Sequence, residues 1–223
     1  MKVIAHIYDD LPDKFGIPRQ SGIVKELTGT IIFEKEYRIK EALEGIDDFS
    51  HLWLIWQFSK NLRDSWSPTV RPPRLGGEKR KGVFATRSPF RPNPIGLSCV
   101  KLEEVRNTDK YGEVLIVSGI DLMNGTPIYD IKPYIAYCDS VPKASEGFAK
   151  DVKDYELTVN FDSDLLKKIP EDMQKAVIGI LKQDPRPAYH NDPERLYGVK
   201  YADFDIKFKV GGNVLTVIDI VKY

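Results

Sequence analysis

The stretch that decides the fold is His51-Leu52-Trp53-Leu54-Ile55-Trp56-Gln57-Phe58. Its apolar and polar residues alternate too weakly for a strand with one face in water, so we interpret it as a buried central strand. The alternative is that its aromatic rings form a platform on which nucleic-acid bases stack. Either interpretation makes this segment a strand.

Further short apolar runs lie on both sides of this strand, at 3–8, 30–33, 82–85, 97–105, 113–120 and 128–137. Most are separated by Gly, Pro or Asn, which is typical of strands joined by turns. One helix is predicted over 37–46, where apolar residues recur every three or four positions. Many short strands with few helices predict a barrel or a sandwich. The lack of alternating strands and long helices, and of Gly-x-Gly-x-x-Gly after a strand, excludes a doubly wound sheet.

The last third of the chain has a different pattern. Residues 139–164 carry seven acidic residues against three lysines, which suits a linker. An amphipathic helix then begins near Pro170 and ends before Asp184-Pro185, because the residue before a proline avoids helical geometry. A hairpin over 204–221 follows. We therefore expect a second, α+β unit with a separate core.

Composition limits the function classes only broadly. Apolar residues make up 42% and charged residues 30% of the 223 residues, as in an ordinary globular protein, and the 33 basic and 33 acidic residues cancel. Cys99 and Cys138 have no neighbours at metal-ligand spacing, so no metal is predicted. No signal peptide or long apolar span is recognisable, so we expect a soluble, cytoplasmic protein without a membrane partner.

Charge is nevertheless concentrated in one segment. Residues 71–91 contain seven Arg and Lys residues against Glu78, a net charge of +6. Such a segment is typical of a phosphate or nucleic-acid surface, and the alternative is a solvated loop. Within it, Pro89, Pro92 and Pro94 stiffen a loop that would hold its arginines in fixed geometry.

Two further short motifs are candidates for a ligand site. One is Gly16-Ile17-Pro18-Arg19-Gln20, and the other is Asp121-Leu122-Met123-Asn124-Gly125-Thr126-Pro127, which directly follows an apolar run. The second is either a common turn or a loop that offers carboxylate and amide groups to a polar ligand. These residues indicate a β-rich domain whose site contacts anions, without naming a reaction.

The same motifs resemble the TrmO/TsaA-like family, in the family's order. They are Gly16 to Gly22, Phe49 to Trp53, Arg71 to Gly77, Gly82 to Ser88, Phe90 to Gly96 and Asp130 to Tyr134, with Gln183 to Tyr189 and Tyr197 to Val199 near the end. The resemblance implies a mainly β fold: a small β-barrel over 1–140 that binds S-adenosylmethionine (SAM) without a Rossmann fold, a linker over 141–160, and a smaller α+β domain over 161–223.

The resemblance also implies an activity. Family members are SAM-dependent tRNA methyltransferases, usually homodimers with the cofactor near the subunit contact. They methylate the exocyclic nitrogen of threonylcarbamoyl-adenosine at position 37, next to the anticodon of threonine tRNA. Two rival hypotheses are an RNA-binding module without catalysis and a SAM methyltransferase acting on another substrate.

Matching positions in the family supply the predicted site residues. The cofactor residues are Pro18, Arg19, Gln20, Ser59, Lys60, Arg87, Leu97, Asp121, Leu122, Met123 and Asn124. Asn124 replaces an acid that the family often has, and Ser59-Lys60 replaces a His-Gln-like pair. Asp121 is also a candidate for the base that takes the proton from nitrogen. The predicted RNA contacts are Arg71, Arg74, Lys79, Arg80, Lys81, Arg91, Arg186 and Tyr189.

Overall fold

The computed structural model describes residues 1–62, 65–72, 75, 79–187 and 192–223. The first eight strands are β1 (Ala5–Asp9), β2 (Thr28–Phe33), β3 (His51–Gln57), β4 (Thr69–Val70), β5 (Lys81–Gly82), β6 (Ile95–Thr108), β7 (Gly112–Ser118) and β8 (Thr126–Pro133). Six of them close an antiparallel barrel in the order β1-β2-β7-β6-β3-β8, while β4 and β5 form a separate pair. The predicted mainly β fold is confirmed, and it is a barrel.

Strand β3 differs in one respect from its prediction. Leu52, Leu54 and Trp56 are buried in the barrel, whereas the residues between them are partly exposed, so the strand does alternate. The alternation is masked in the sequence because the outward positions include Trp53 and Ile55, and Trp53 packs on the chain that follows β8. There the Trp53 ring lies 5.7 Å from that of Tyr134. Reading this strand as buried on both faces was therefore wrong.

The helix predicted over 37–46 is also wrong. The segment forms three short 3-10 turns at Lys35–Tyr37, Lys40–Leu43 and Ile46–Asp48. Ile39 has extended backbone angles and Gly45 has a φ of 80°, and both interrupt a continuous helix. The run at 82–85 is likewise only the end of β5 followed by a 3-10 turn at Val83–Ala85.

After the barrel come α1 (Ala136–Asp139), whose Asp139 accepts from the Trp53 indole of β3, and a 3-10 segment (Gly147–Val152). The remainder of the chain is an α+β unit with the elements β9 (Thr158–Asn160), α2 (Ser163–Leu166), α3 (Glu171–Lys182), β10 (Tyr197–Tyr201), β11 (Phe204–Gly211) and β12 (Val214–Lys222). The predicted helix and hairpin are present as α3, β11 and β12. Strand β9 lies within the predicted linker and pairs in parallel with β12. No helix in the described ranges is long and apolar enough to cross a membrane.

The two parts of the chain share one core. Their buried apolar residues form a single contiguous cluster. Val24, from the loop between β1 and β2, packs against Gly179 of α3, where an added Cβ would lie 2.5 Å from the Val24 side chain. The Ala202 N–H donates to the Asp10 carbonyl at 2.8 Å. The expectation of a separate second core is therefore wrong, because the β1–β2 loop fills the space between the parts.

Candidate ligand site at one end of the barrel

Three loops carry the residues predicted to bind the cofactor: 10–27 between β1 and β2, 58–94 between β3 and β6, and 119–125 between β7 and β8. Because each barrel strand runs opposite to its neighbours, the ends of β1, β3 and β7 lie beside the starts of β2, β6 and β8. The three loops therefore leave the barrel at the same end, which we call the site end. Leu97, near the start of β6, is 52% exposed there.

Asp121 is the centre of a hydrogen-bonded cluster at the site end. Its Oδ1 accepts from Ser98 Oγ at 2.5 Å, and it also accepts from the Ser21 backbone. The Ser21 hydroxyl in turn accepts from the Cys99 N–H at 3.0 Å. Loops 10–27 and 119–125 are thus attached to the start of β6 by polar contacts.

The Asp121 carboxyl titrates far from its ordinary range. Burial raises its pKa from 3.8 to about 6, against the hydrogen bonds from Ser98 and Ser21 and the positive charge of Arg87, which lower it. A carboxyl with such a pKa is ionised at neutral pH, yet its charge is incompletely compensated. Perturbed carboxyls of this kind are characteristic of ligand and catalytic sites.

Arg87 and the motif at 18–20 are brought together. The exposed Arg87 guanidinium donates to Gln20 Oε1, whose amide donates to the Arg19 carbonyl at 2.5 Å. Pro18 is buried and Arg19 half-buried. The stiff loop before β6 therefore reaches the β1–β2 loop, as a shared binding surface requires.

The turn after Asp121 is held by backbone contacts. Leu122 is fully buried, so its side chain belongs to the core and only its backbone can face a ligand. The Met123 carbonyl accepts from the Thr126 N–H and hydroxyl. Asn124 Oδ1 accepts from the Asp9 N–H at 3.3 Å, and its own N–H donates to Leu11. At Asn124 the side chain thus helps to join two loops.

Ser59 and Lys60 lie at the site end, in a 3-10 turn directly after β3. Phe58 precedes them and fixes the turn, since its N–H donates to the Pro94 carbonyl at 2.9 Å and its ring lies 4.3 Å from that of Trp56. Lys60 is exposed and Ser59 half-buried.

Some of the predicted RNA contacts are exposed, whereas others form hydrogen bonds within the protein. Arg71, Lys79 and Arg80 are exposed on the loop 58–94, and Lys81 lies 5.6 Å from the Phe148 ring. Arg91 instead donates to the carbonyls of Thr86 and Ser88, so it stabilises the stiff loop. Arg74 and Tyr189 lie outside the described residues.

Arg186 forms a closed ion pair. Its Nε and Nη2 donate to the two Asp184 oxygens at 2.7 and 2.8 Å, and Tyr155 donates to the same carboxylate at 2.8 Å. The Arg186 side chain is only 11% exposed. This geometry stabilises the turn after α3, where Asp184 has a φ of 54°.

A cleft of about 210 Å³ lies where the two parts of the chain meet. It is lined by residues 14–19 of the β1–β2 loop and by Ile180 and residues 183–186. The cleft contains Pro18 and Arg19, whereas Arg87 and Asp121 lie outside its lining. The second unit thus borders the loop that carries part of the predicted site.

Two residues of the Asp121 cluster were not predicted. Ser98 is completely buried at an inward position of β6, and Ser21 lies within the first motif. The signal for Ser98 was a polar residue at an inward position of an apolar run, since buried hydroxyls need a partner. Its partner, 23 residues away, could only be identified in the fold.

These features define a class of protein: a closed antiparallel β-barrel whose candidate polar ligand site is built by loops at one end, with no Rossmann sheet among the described residues. The comparisons then identify the family. Residues 6–140 match the tRNA-methyltransferase O N-terminal domain, and residues 154–223 match the TrmO C-terminal domain. The chain belongs to the tRNA-methyltransferase O family.

Three similar proteins match this chain over nearly their full length. An Escherichia coli tRNA (adenine(37)-N6)-methyltransferase is 42% identical, over 89% of this chain and 87% of that protein. A putative S-adenosylmethionine-dependent methyltransferase from Pseudomonas aeruginosa is 40% identical, over 97% and 95%. A crystal structure of TrmO from the same species has a TM-score of 0.80 at 33% identity, covering 100% and 97% of the two chains.

Proposed function

We propose that this chain is a SAM-dependent tRNA methyltransferase that methylates N6 of adenine 37. The Escherichia coli relative of this name is similar over 89% of the chain, and so over both of its parts. The observation that supports the proposal most is the convergence of the three loops at the site end, where Asp121, Arg87 and Gln20 meet. A ligand that contacts all three loops would account for the polar side chains that these loops direct to one place.

The groups at the site end suit the chemistry of SAM. The cofactor carries an ammonium, a carboxylate, ribose hydroxyls and an adenine ring, and when bound it supplies a methyl group on a cationic sulfonium. Asp121 offers a carboxylate to a cation, and Arg87 offers a guanidinium to an anion. The exposed Leu97 offers apolar surface to a ring.

The protein's contribution to methyl transfer is positioning and electrostatics. Asp121 and Arg87 would hold the donor in one orientation, so that the target nitrogen can approach the methyl group in line. The basic residues Arg71, Lys79 and Arg80 would hold the RNA backbone nearby. A base in an anticodon loop is reached at little unstacking cost.

Three finer features belong to the same proposal. We propose that the substrate is threonylcarbamoyl-adenosine in threonine tRNA, that the enzyme acts as a homodimer, and that it acts in the cytoplasm, where that tRNA is found. Exposed apolar residues at and near the site end, such as Leu97, Phe84 and Trp66, are consistent with a subunit contact there.

Methyl incorporation tests the activity directly. Purified protein is incubated with methyl-labelled SAM and bulk tRNA from cells lacking this protein, and the labelled nucleoside is identified by mass spectrometry. We expect label in N6-methylated, threonylcarbamoyl-modified adenosine, and the same tRNA from complemented cells should accept little. Binding of tRNA without SAM binding would favour the RNA-binding module. SAM binding without tRNA labelling would favour another substrate.

A further inference from the structure

A series of three hydrogen-bonded side chains runs from the barrel interior to the loop between β7 and β8 at the site end. The Trp56 indole Nε1–H donates to Ser98 Oγ at 2.9 Å, and Ser98 Oγ donates to Asp121 Oδ1 at 2.5 Å. Trp56 and Ser98 are buried, at 6% and 0% exposure. This hydrogen-bonded series therefore connects the barrel core to the Asp121 carboxylate of the candidate site.

The position of Trp56 depends on Gly96. A Cβ at position 96 would lie 2.2 Å from the Trp56 ring, so only glycine lets the indole lie flat across the start of β6. The ring is also packed against Phe58, at 4.3 Å between centroids. The indole N–H is thus held in one direction, towards Ser98.

The direction of each hydrogen bond in this series follows from which groups carry a proton. An indole N–H can only donate, so it occupies an acceptor site of the Ser98 hydroxyl. That hydroxyl has one proton, and its contact with Asp121 Oδ1 takes that proton. The arrangement favours an ionised Asp121, because a hydrogen bond from Ser98 to a charged carboxylate oxygen is stronger than one to the carbonyl oxygen of a protonated carboxyl.

We propose that Ser98 is a positioning residue which, oriented by Trp56, keeps Asp121 in one orientation and in its ionised form for ligand binding. The inference rests on the proposed function in one respect, namely that the ligand of Asp121 is SAM. Ser98 itself is buried and acts only through Asp121. The charged group that acts on Asp121 from the neighbouring loop is Arg87, which also favours the ionised form.

The test compares Ser98→Ala with a matched control, Trp53→Phe. Trp53 lies on the same strand as Trp56 and also donates its indole N–H to a carboxylate, Asp139 Oδ2, at 2.9 Å, but on the outer face. The Asp121 carboxyl is titrated by carbon-13 NMR in SAM-free protein, with Asp121→Asn used to assign its signal. SAM affinity is measured by calorimetry from pH 5 to 8 on the same proteins.

Removal of one charge-assisted hydrogen bond should raise the Asp121 midpoint by about one pH unit in Ser98→Ala. SAM affinity should then fall about fivefold near pH 6, approach a tenfold loss at pH 5, and change little at pH 8, where the carboxyl is ionised in both proteins. Trp56→Phe should shift the midpoint in the same direction but less, because Ser98 keeps its proton. Trp53→Phe should leave both curves unchanged.

The outcomes test the role of Ser98 separately from the proposed SAM-dependent function. An unchanged Asp121 midpoint in folded Ser98→Ala overturns the proposal, as does an unchanged SAM affinity between pH 5 and 6. Should Ser98→Ala not fold, Trp56→Phe decides by the same midpoint. If no protein binds SAM at any pH, the proposed function fails while the NMR titration still tests Ser98.

Discussion

An aspartate and an arginine act on each other in two regions of this molecule, and the two pairs are built differently. After α3, Arg186 and Asp184 form a two-point ion pair with Tyr155 as a third partner. At the site end, Arg87 acts on Asp121 through its charge and donates its hydrogen bond to Gln20. Asp121 is held instead by neutral donors.

The titration of the two carboxyls shows the consequence. Burial acts on both, but the hydrogen bonds of Arg186 and Tyr155 overcome it and lower the pKa of Asp184. At Asp121 burial prevails and the pKa rises to about 6. In the Arg186–Asp184 pair each charge is neutralised by direct hydrogen bonds to the other. Arg87 and Asp121 are not bonded to each other in this way, so both charges can interact with a ligand. The first arrangement stabilises a turn, and the second suits a binding site.

The largest expected effects separate the two aspartates. Asp121→Asn should lower the rate of methyl transfer about 100-fold, because a positioned charge in the site is removed, with no loss of stability. Asp184→Asn should lower the free energy of unfolding by about 2–4 kcal/mol, because the buried Arg186 loses its partner. Single-turnover assays and urea unfolding of both variants measure the contrast. The comparison breaks if Asp184→Asn lowers turnover more than Asp121→Asn does.

The two arginines should show the same contrast between ligand binding and stability, with smaller effects. Arg87→Ala should weaken SAM binding by about 1.5–3 kcal/mol, because a charge-assisted hydrogen bond to the cofactor is removed. Arg186→Ala should leave SAM affinity unchanged and lower stability. Calorimetry and thermal unfolding check the pair. Unaltered SAM affinity in folded Arg87→Ala would remove Arg87 from the site.

The sequence allowed much of the fold to be predicted, because strands and turns have local signals. Helix α3 and the β11–β12 hairpin follow from periodicity and from Pro and Gly positions alone. The segment 37–46 has helical periodicity too, but Gly45 and the extended Ile39 override it. The shared core could not be predicted, since the packing of Val24 on Gly179 joins residues 155 positions apart.

The site could be predicted as a set of motifs but not as a geometry. The motifs at 16–20, 87–97 and 121–124 are all recognisable in the sequence. The sequence does not show, however, that Arg186 pairs with its neighbour Asp184 while Arg87 donates to Gln20, 67 residues away. The turn at 184–186 combines a proline and an arginine, which would also suit a loop that binds a nucleotide. Only the distances between side chains distinguish a structural ion pair from a ligand-binding one.

The two carboxyls should also give stability opposite pH dependences. The folded pKa of Asp121 lies above its unfolded value of 3.8, so its contribution to the free energy of unfolding decreases as pH rises from 3.8 to about 6. The folded pKa of Asp184 is lowered, so its contribution is present above 3.8 and is lost as pH falls further. Unfolding from pH 3 to 7 should therefore show Asp121→Asn gaining stability over wild type by roughly 1–3 kcal/mol towards neutral pH. Parallel curves for the two asparagine variants would contradict this.

The basic segment, residues 71–91, extends the comparison to RNA binding. Its exposed cations, like Arg87, have no carboxylate partner among the described residues and should therefore be available to bind phosphates. Replacing Arg71, Lys79 and Arg80 together with alanine should lower tRNA affinity and reduce its dependence on salt. The reduction should be roughly one slope unit or less for each phosphate that is no longer neutralised, since fewer counterions are released on binding. The control replaces Lys35, Lys40 and Lys110, three exposed lysines at the opposite end of the barrel, and removes the same charge. Filter binding between low and physiological salt measures both slopes. Equal slopes in the two triple variants would show that net charge alone, and not the site end, attracts the RNA.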